Sequence, residues 1–62
     1  MNNPFTVNVF RGDDIVTEVF ANAGAAILYG MDAQNDHRVV HVTVTDEDTG
    51  ADIYDEAGVS FT

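Results

Sequence analysis

The sequence predicts an α+β two-layer sandwich: a four-stranded antiparallel sheet in ββαββ order, with one helix packed across one face. Three observations carry that prediction. Residues 5–20 hold two apolar runs on either side of a Gly12-Asp13 turn signal. Residues 22–34 are rich in alanine and open on an asparagine. Residues 37–54 hold a second pair of runs, split by Asp46-Glu47-Asp48-Thr49-Gly50. Two strands, a helix and two more strands pack most economically as sheet against helix. At 62 residues the chain is a single domain, 1–62, near the lower size limit for unaided folding.

Phe5 to Phe10 alternates apolar and polar residues and reads as the first strand, with Pro4 setting its start. A Gly12-Asp13 loop fits a type II′ turn, which wants glycine first. The returning strand, Ile15 to Phe20, then pairs Phe10 with Ile15, Asn8 with Thr17 and Phe5 with Phe20. Phe5, Val7, Val9, Val16 and Phe20 share the expected core face, with Glu18 discordant. Thr6, Asn8, Phe10, Ile15, Thr17 and Val19 share the other.

Asn22 is a good N-cap for a helix running to Gln34, and Asn35-Asp36 ends it. Ile27, Leu28 and Met31, with Gly24 or Ala23 one turn earlier, form the apolar stripe expected to face the sheet. Gly24 on that stripe is expected to allow close approach of the helix. Asp32 and Asp36 stand at the helix C-terminal end, where the macrodipole disfavours negative charge.

His37 to Thr45 is the third strand, with Val40, Val42 and Val44 on its core face and Val39, His41, Thr43 and Thr45 on the other. Asp46-x-x-Thr49-Gly50 suits a type I turn closed by a glycine bulge. Ala51 to Tyr54 is the fourth strand, and Asp55-Glu56-Ala57-Gly58 reads as a second turn. Val59-Ser60-Phe61 is a short fifth strand at the edge or an ordered tail. A single helix leaves one sheet face uncovered. That face, with Phe10, Ile15, Val19, Val39 and Tyr54 among its threonines, is a candidate contact surface.

Charge excludes several functions. Eleven Asp and Glu face two Arg and no Lys, for a formal charge of −9. Direct nucleic-acid binding needs a basic surface, and so does attraction to an anionic membrane. The absence of cysteine rules out disulfides and thiolate metal sites. The N-terminal Met1-Asn2-Asn3-Pro4 carries no basic segment and no apolar run, so a cytoplasmic product is expected.

No constellation of catalytic residues stands out, and the chain is read as a non-enzyme without a cofactor. Arg11-Gly12-Asp13 matches an integrin-binding tripeptide in letters only. Asp46-x-Asp48-x-Gly50-x-Asp52 superficially follows a calcium loop but places Gly50, Ala51 and Ala57 where the EF-hand needs a ligand, a glycine and a glutamate. His37 and His41, on one face of an extended strand, would stand about 13 Å apart, too far to share a metal.

The pattern that remains is acidic. Asp46, Glu47, Asp48, Asp52, Asp55 and Glu56 fall within eleven residues, and Asp13, Asp14, Asp32 and Asp36 extend the array. Alternate residues of a strand are about 6.8 Å apart, comparable to neighbouring phosphates on one nucleic-acid strand. Tyr54 and Tyr29 are candidate aromatic anchors beside the charges. In length, in the Lys-free acidic surface and in the Asp46-x-x-Thr49-Gly50 hairpin, the chain resembles the small acidic inhibitors made by bacteriophages and mobile elements, such as anti-restriction and anti-CRISPR proteins. The resemblance is to a class rather than to a sequence family. It implies binding to a basic, nucleic-acid-handling defence nuclease complex in a host cytoplasm and blockage of its DNA or RNA site. The alternative is a homodimeric accessory protein, joined through the helix-free sheet face and acidic from high-salt adaptation.

Overall fold

The structure, a computed structural model, describes residues 4–58. It is a four-stranded antiparallel sheet with one helix packed on it, as the sequence predicts. The elements are β1 (Phe5–Arg11), β2 (Ile15–Phe20), α1 (Ala23–Ala33), β3 (Val39–Asp46) and β4 (Ala51–Ala57). The strand order is β2-β1-β3-β4, so the two hairpins are joined through a central β1–β3 pair and α1 crosses between them. The segment Val59 to Phe61, read as an edge strand or tail, lies outside the described residues.

The β1–β2 register is the expected one, with Phe5 opposite Phe20, Asn8 opposite Thr17 and Phe10 opposite Ile15. The turn type differs. Gly50 is the glycine with a positive φ, and Gly12 does not adopt the left-handed conformation that a type II′ turn demands. The pairing therefore follows from the match of the two apolar patterns rather than from that turn geometry.

The core consists of Val7, Val9, Ala26, Val39, Val42 and Val44, with Phe5, Val16, Phe20, Ile27, Tyr29, Ala33 and Tyr54 packed around it. Val39, not Val40, belongs to this set: Val39 is 1% exposed and Val40 37%. A bulge is responsible. Phe10 pairs with His41 but Arg11 pairs with Val39, so one extra residue on β3 inverts the alternation there. A second bulge lies between Val44 and Thr45, where Tyr54 and then Asp52 are the partners and Ile53 is left over. Tyr54 consequently lies opposite buried Val44 on the helix side, not on the open face. The expected turn at Asp55-Glu56-Ala57 is instead the last part of β4, paired with Thr43, Val42 and His41. His37 precedes β3 and lies in the loop rather than on a strand face.

Asn22 caps α1 as expected, its side-chain oxygen accepting the Ala25 N–H at 2.8 Å. The face that α1 buries is not the expected one. Ala26 and Gly30 are buried and Ile27, Tyr29 and Ala33 are partly covered, while Leu28 is 67% and Met31 49% exposed. Small residues face the sheet because α1 lies low over β1 and β3. Gly30, rather than Gly24, permits this approach. A Cβ at Gly30 would stand 3.0 Å from Val42 Cγ1, 3.7 Å from Val44 Cγ2 and 3.8 Å from Tyr54 Cδ2. At Gly24 it would meet only its own N-cap, Asn22 Oδ1, at 3.5 Å.

Candidate functional site

Two groups of acidic residues stand at opposite ends of the sheet, and Asp52, Asp55 and Glu56 run along the edge strand β4 between them. Phe5 pairs with Asp46 at one end of β1, and Arg11 pairs with Val39 at the other. Six residues of strand separate these ends, about 20 Å. Asp46, Glu47 and Asp48 form the β3–β4 tip at the first end. Asp13 and Asp14 at the β1–β2 turn, and Asp32 and Asp36 at and beyond the end of α1, lie at the second.

Both arginines belong to the second end. Arg11 Nη1 approaches Asp14 Oδ2 at 3.9 Å, a long, partly exposed pair of little energetic weight. Asp36 is tied to Arg38 more closely: its carboxylate accepts from the Arg38 backbone N–H at 2.9 Å, from Nε at 3.2 Å and from Nη2 at 3.0 Å. These hydrogen bonds from Arg38 hold the Asp36 carboxyl well below the usual carboxylate range. The Asp36 charge beyond the helix C-terminus is thus accounted for by local structure. Asp32 and Asp36 also border a cleft of about 210 Å³ whose other walls include Val9, Arg11, Val16 and Tyr29. Arg11 Nε is buried there without a hydrogen-bond partner.

The hairpin end holds no arginine. Its turn has the expected form: the Thr49 and Gly50 N–H groups donate to Asp46 O at 3.3 and 2.7 Å, and Gly50 takes φ +76°. The Asp46 side chain is engaged in the same turn, accepting the Asp48 N–H at 3.0 Å. Glu47 donates its N–H to Pro4 O at 2.7 Å, which fixes the tip against the start of β1. Both Glu47 and Asp48 are exposed.

The bulge at Ile53 sets the arrangement along β4. Asp52 lies opposite Thr45 and Asp55 opposite Thr43. Three positions apart in sequence, they nevertheless share the helix-free face at about the 6.8 Å spacing of alternate strand residues. Each is anchored: Thr45 Oγ1 donates to Asp52 Oδ1 at 2.8 Å, and His41 Nε2 contacts Asp55 Oδ1. Glu56, paired with Val42, is exposed on the other side of the edge strand. Sequence reasoning finds these acidic residues but not the bulge that aligns two of them, nor the pairing of His41 with Asp55, which are 14 positions apart.

The aromatic residues are placed differently from the sequence expectation. Tyr54 is half-buried beneath α1, and its hydroxyl donates to Gln34 Oε1, while Gln34 Nε2 donates to Ala57 O at 2.8 Å. Burial pushes the Tyr54 phenol up, with the Glu56 charge adding to the effect. Tyr29 packs on Phe20 at 5.2 Å between ring centroids. Both rings brace the helix against the sheet, leaving Glu47 and Asp48 at the tip and Asp52, Asp55 and Glu56 along β4 as the exposed acidic surface of the β3–β4 hairpin.

Among the described residues no group of three or more His, Asp or Glu side chains is placed to hold a metal ion, and no helix is long and apolar enough to cross a membrane. Comparison with protein-family models, with curated proteins and with solved structures finds no match.

Proposed function

We propose that this chain is a non-enzymatic acidic binding module that occupies the phosphate-binding surface of a basic, nucleic-acid-handling protein. The observation that carries the reading is the charge asymmetry. Asp46, Glu47, Asp48, Asp52, Asp55 and Glu56 lie on the β3–β4 hairpin, while Arg11 and Arg38 lie at the far end of the sheet beside Asp14 and Asp36. For the tip residues Asp46, Glu47 and Asp48 the separation of about 20 Å exceeds two screening lengths at physiological ionic strength, so the arginines do not offset the field of the tip. Asp52, Asp55 and Glu56 continue the charge along β4 toward the middle of the sheet. Charge of one sign on a rigid two-stranded support steers a basic partner and sets its register. Asp52 and Asp55 then stand in for neighbouring phosphates, and the tip extends the line. A host defence nuclease complex is the kind of target this chemistry fits. The uneven distribution supports this reading over a homodimeric accessory protein adapted to high salt, for which evenly spread charge is expected.

The test is capture of partners from a bacterial lysate at ~50 mM and ~500 mM salt, a range over which screening shortens severalfold. A nucleic-acid-binding protein should be recovered at low salt and released by added duplex DNA. Glu47→Lys with Asp48→Lys, two exposed positions at the tip, should lose it while keeping the wild-type melting curve. Equal recovery by the folded double variant, or recovery indifferent to salt and DNA, would refute the reading.

A further inference from the structure

The two edges of the sheet are unlike. The outer edge of β4 is lined by Asp52, Asp55 and Glu56. The outer edge of β2 carries Ile15, Val16, Thr17, Glu18, Val19 and Phe20, a run with one charge, no proline and no lysine. Ile15 is 57% and Val19 50% exposed. Among the described residues β2 pairs with β1 and has no strand on its other side. An extended edge with a single charge is a template for a further strand unless something blocks it.

We propose that β2 pairs antiparallel with β2 of a second copy, joining two four-stranded sheets into one across a two-fold axis at Thr17. Hydrogen-bond accounting selects that register. Arg11 N–H donates to Asp14 O at 2.9 Å, so Arg11 and Asp14 are a hydrogen-bonded pair of the β1–β2 ladder. Such pairs alternate along an antiparallel ladder. Val9–Val16, Val7–Glu18 and Phe5–Phe20 are therefore the next ones, and the N–H and C=O groups of Ile15, Thr17 and Val19 point outward. A two-fold axis at Thr17 sets Thr17 against its own copy and Ile15 against Val19 of the other chain, twice. All three outward residues then exchange hydrogen bonds, and the exposed apolar side chains meet on the helix-free face. Glu18 falls opposite Val16 of the other copy, so no like charges are directly opposed. Centring the axis on Glu18 would instead set carboxylate against carboxylate.

A second copy fits this edge better than an unrelated strand because the edge is self-complementary about Thr17. It is also the edge along which two chains of charge −9 bring the fewest carboxylates together. Pairing of one six-residue strand buries less than the ~1,200 Å² of a standard interface, so the dimer is weak and dependent on concentration. Salt, by screening the net repulsion, strengthens it. This is opposite to its effect on a basic partner, and the inference stands independently of the acidic-partner reading.

The test is sedimentation equilibrium of the full chain at ~500 mM salt up to about 1 mM protein, high enough to populate a millimolar complex. The mass should rise from 6.7 kDa toward twice that value. Thr17→Pro removes an outward N–H that β1 does not use, and Thr17→Asp sets two carboxylates face to face. Both should remain monomeric, and Thr17→Asp carries this arm if the proline variant does not fold. Because the chain has no cysteine, Thr17→Cys gives an unambiguous cross-link, with the two Cα atoms about 5.5 Å apart, inside disulfide range. Under oxidation it should form a covalent dimer far faster than Thr43→Cys on the sheet interior. A wild-type chain that stays at 6.7 kDa overturns the proposal. So does a Thr17→Asp variant that dimerises like wild type, or faster cross-linking at position 43, which would mean stacking through the face.

Discussion

The bulge at the start of β3 makes a sharp prediction about adjacent valines. Strict alternation places Val40 in the core, whereas the structure buries Val39, 1% exposed, and turns out Val40, 37% exposed. Val39→Ala removes two methyl-sized groups from a closed site. At ~0.8 kcal/mol each the transfer loss is about 1.6 kcal/mol, and the cavity left beneath α1 brings the cost to about 2–3 kcal/mol. Val40→Ala loses contact area open to water and some strand propensity, under about 1 kcal/mol. A domain of this size has about 3–9 kcal/mol in total, so the first change removes a large share of it. Thermal unfolding by circular dichroism reads the difference. At about 4–8 °C per kcal/mol, Val39→Ala should lower Tm by about 10–20 °C and Val40→Ala by only a few degrees. Equal losses, or a larger loss at Val40, would mean that the alternation runs straight through and that the Arg11–Val39 pairing does not form.

The helix glycines make a second contrast. Gly24→Ala has open space apart from its own cap and gains helix propensity, so it should stabilise by about 0.5–1 kcal/mol. Gly30→Ala gains the same propensity but forces Cβ to 3.0 Å from the fully buried Val42, so it should destabilise by about 1 kcal/mol net. Urea unfolding of both decides it, and stabilisation by Gly30→Ala would place the helix farther from the sheet than described. The Asp36–Arg38 pair makes a prediction in pH. Because the folded-state pKa of Asp36 is depressed, the pair's stabilising contribution is present above the ordinary aspartate pKa of about 4 and is lost only as pH falls through the lower folded value. Carbon-detected NMR titration should show the Asp36 carboxyl still ionised below that range in wild type, and shifted back toward it in Arg38→Ala. A wild-type midpoint within the usual range would contradict the hydrogen-bonded geometry.

Local pattern made much of this fold legible. The period-two runs at Phe5–Phe10 and Ile15–Phe20 determined their pairing and register, Asn22 marked the start of the helix, and Asp46-x-x-Thr49-Gly50 marked the turn. Each of these depends on residues within one helix turn, one turn or one hairpin of consecutive strands. The acidic hairpin was visible for the same reason, since its residues are contiguous in the chain.

What depended on distant partners was not legible. The central β1–β3 pairing, the choice of Ala26 and Gly30 over Leu28 and Met31 as the buried helix face, and the two bulges are long-range outcomes. Alternation is a rule about one strand by itself. It fails wherever a strand must add a residue to stay in step with its neighbour, as at Val40 and Ile53. Those two residues decided which valine reached the core and which carboxylates shared a face. The sequence alone determined that this chain is an acidic α+β domain with a charged hairpin. Only tertiary packing decided that Tyr54 is held under the helix by Gln34, that Asp52 and Asp55 are aligned, and that the arginines lie at the end of the sheet opposite the Asp46–Asp48 tip. The physical reason is that a backbone must satisfy its hydrogen bonds across the whole sheet, and side chains follow the register that results.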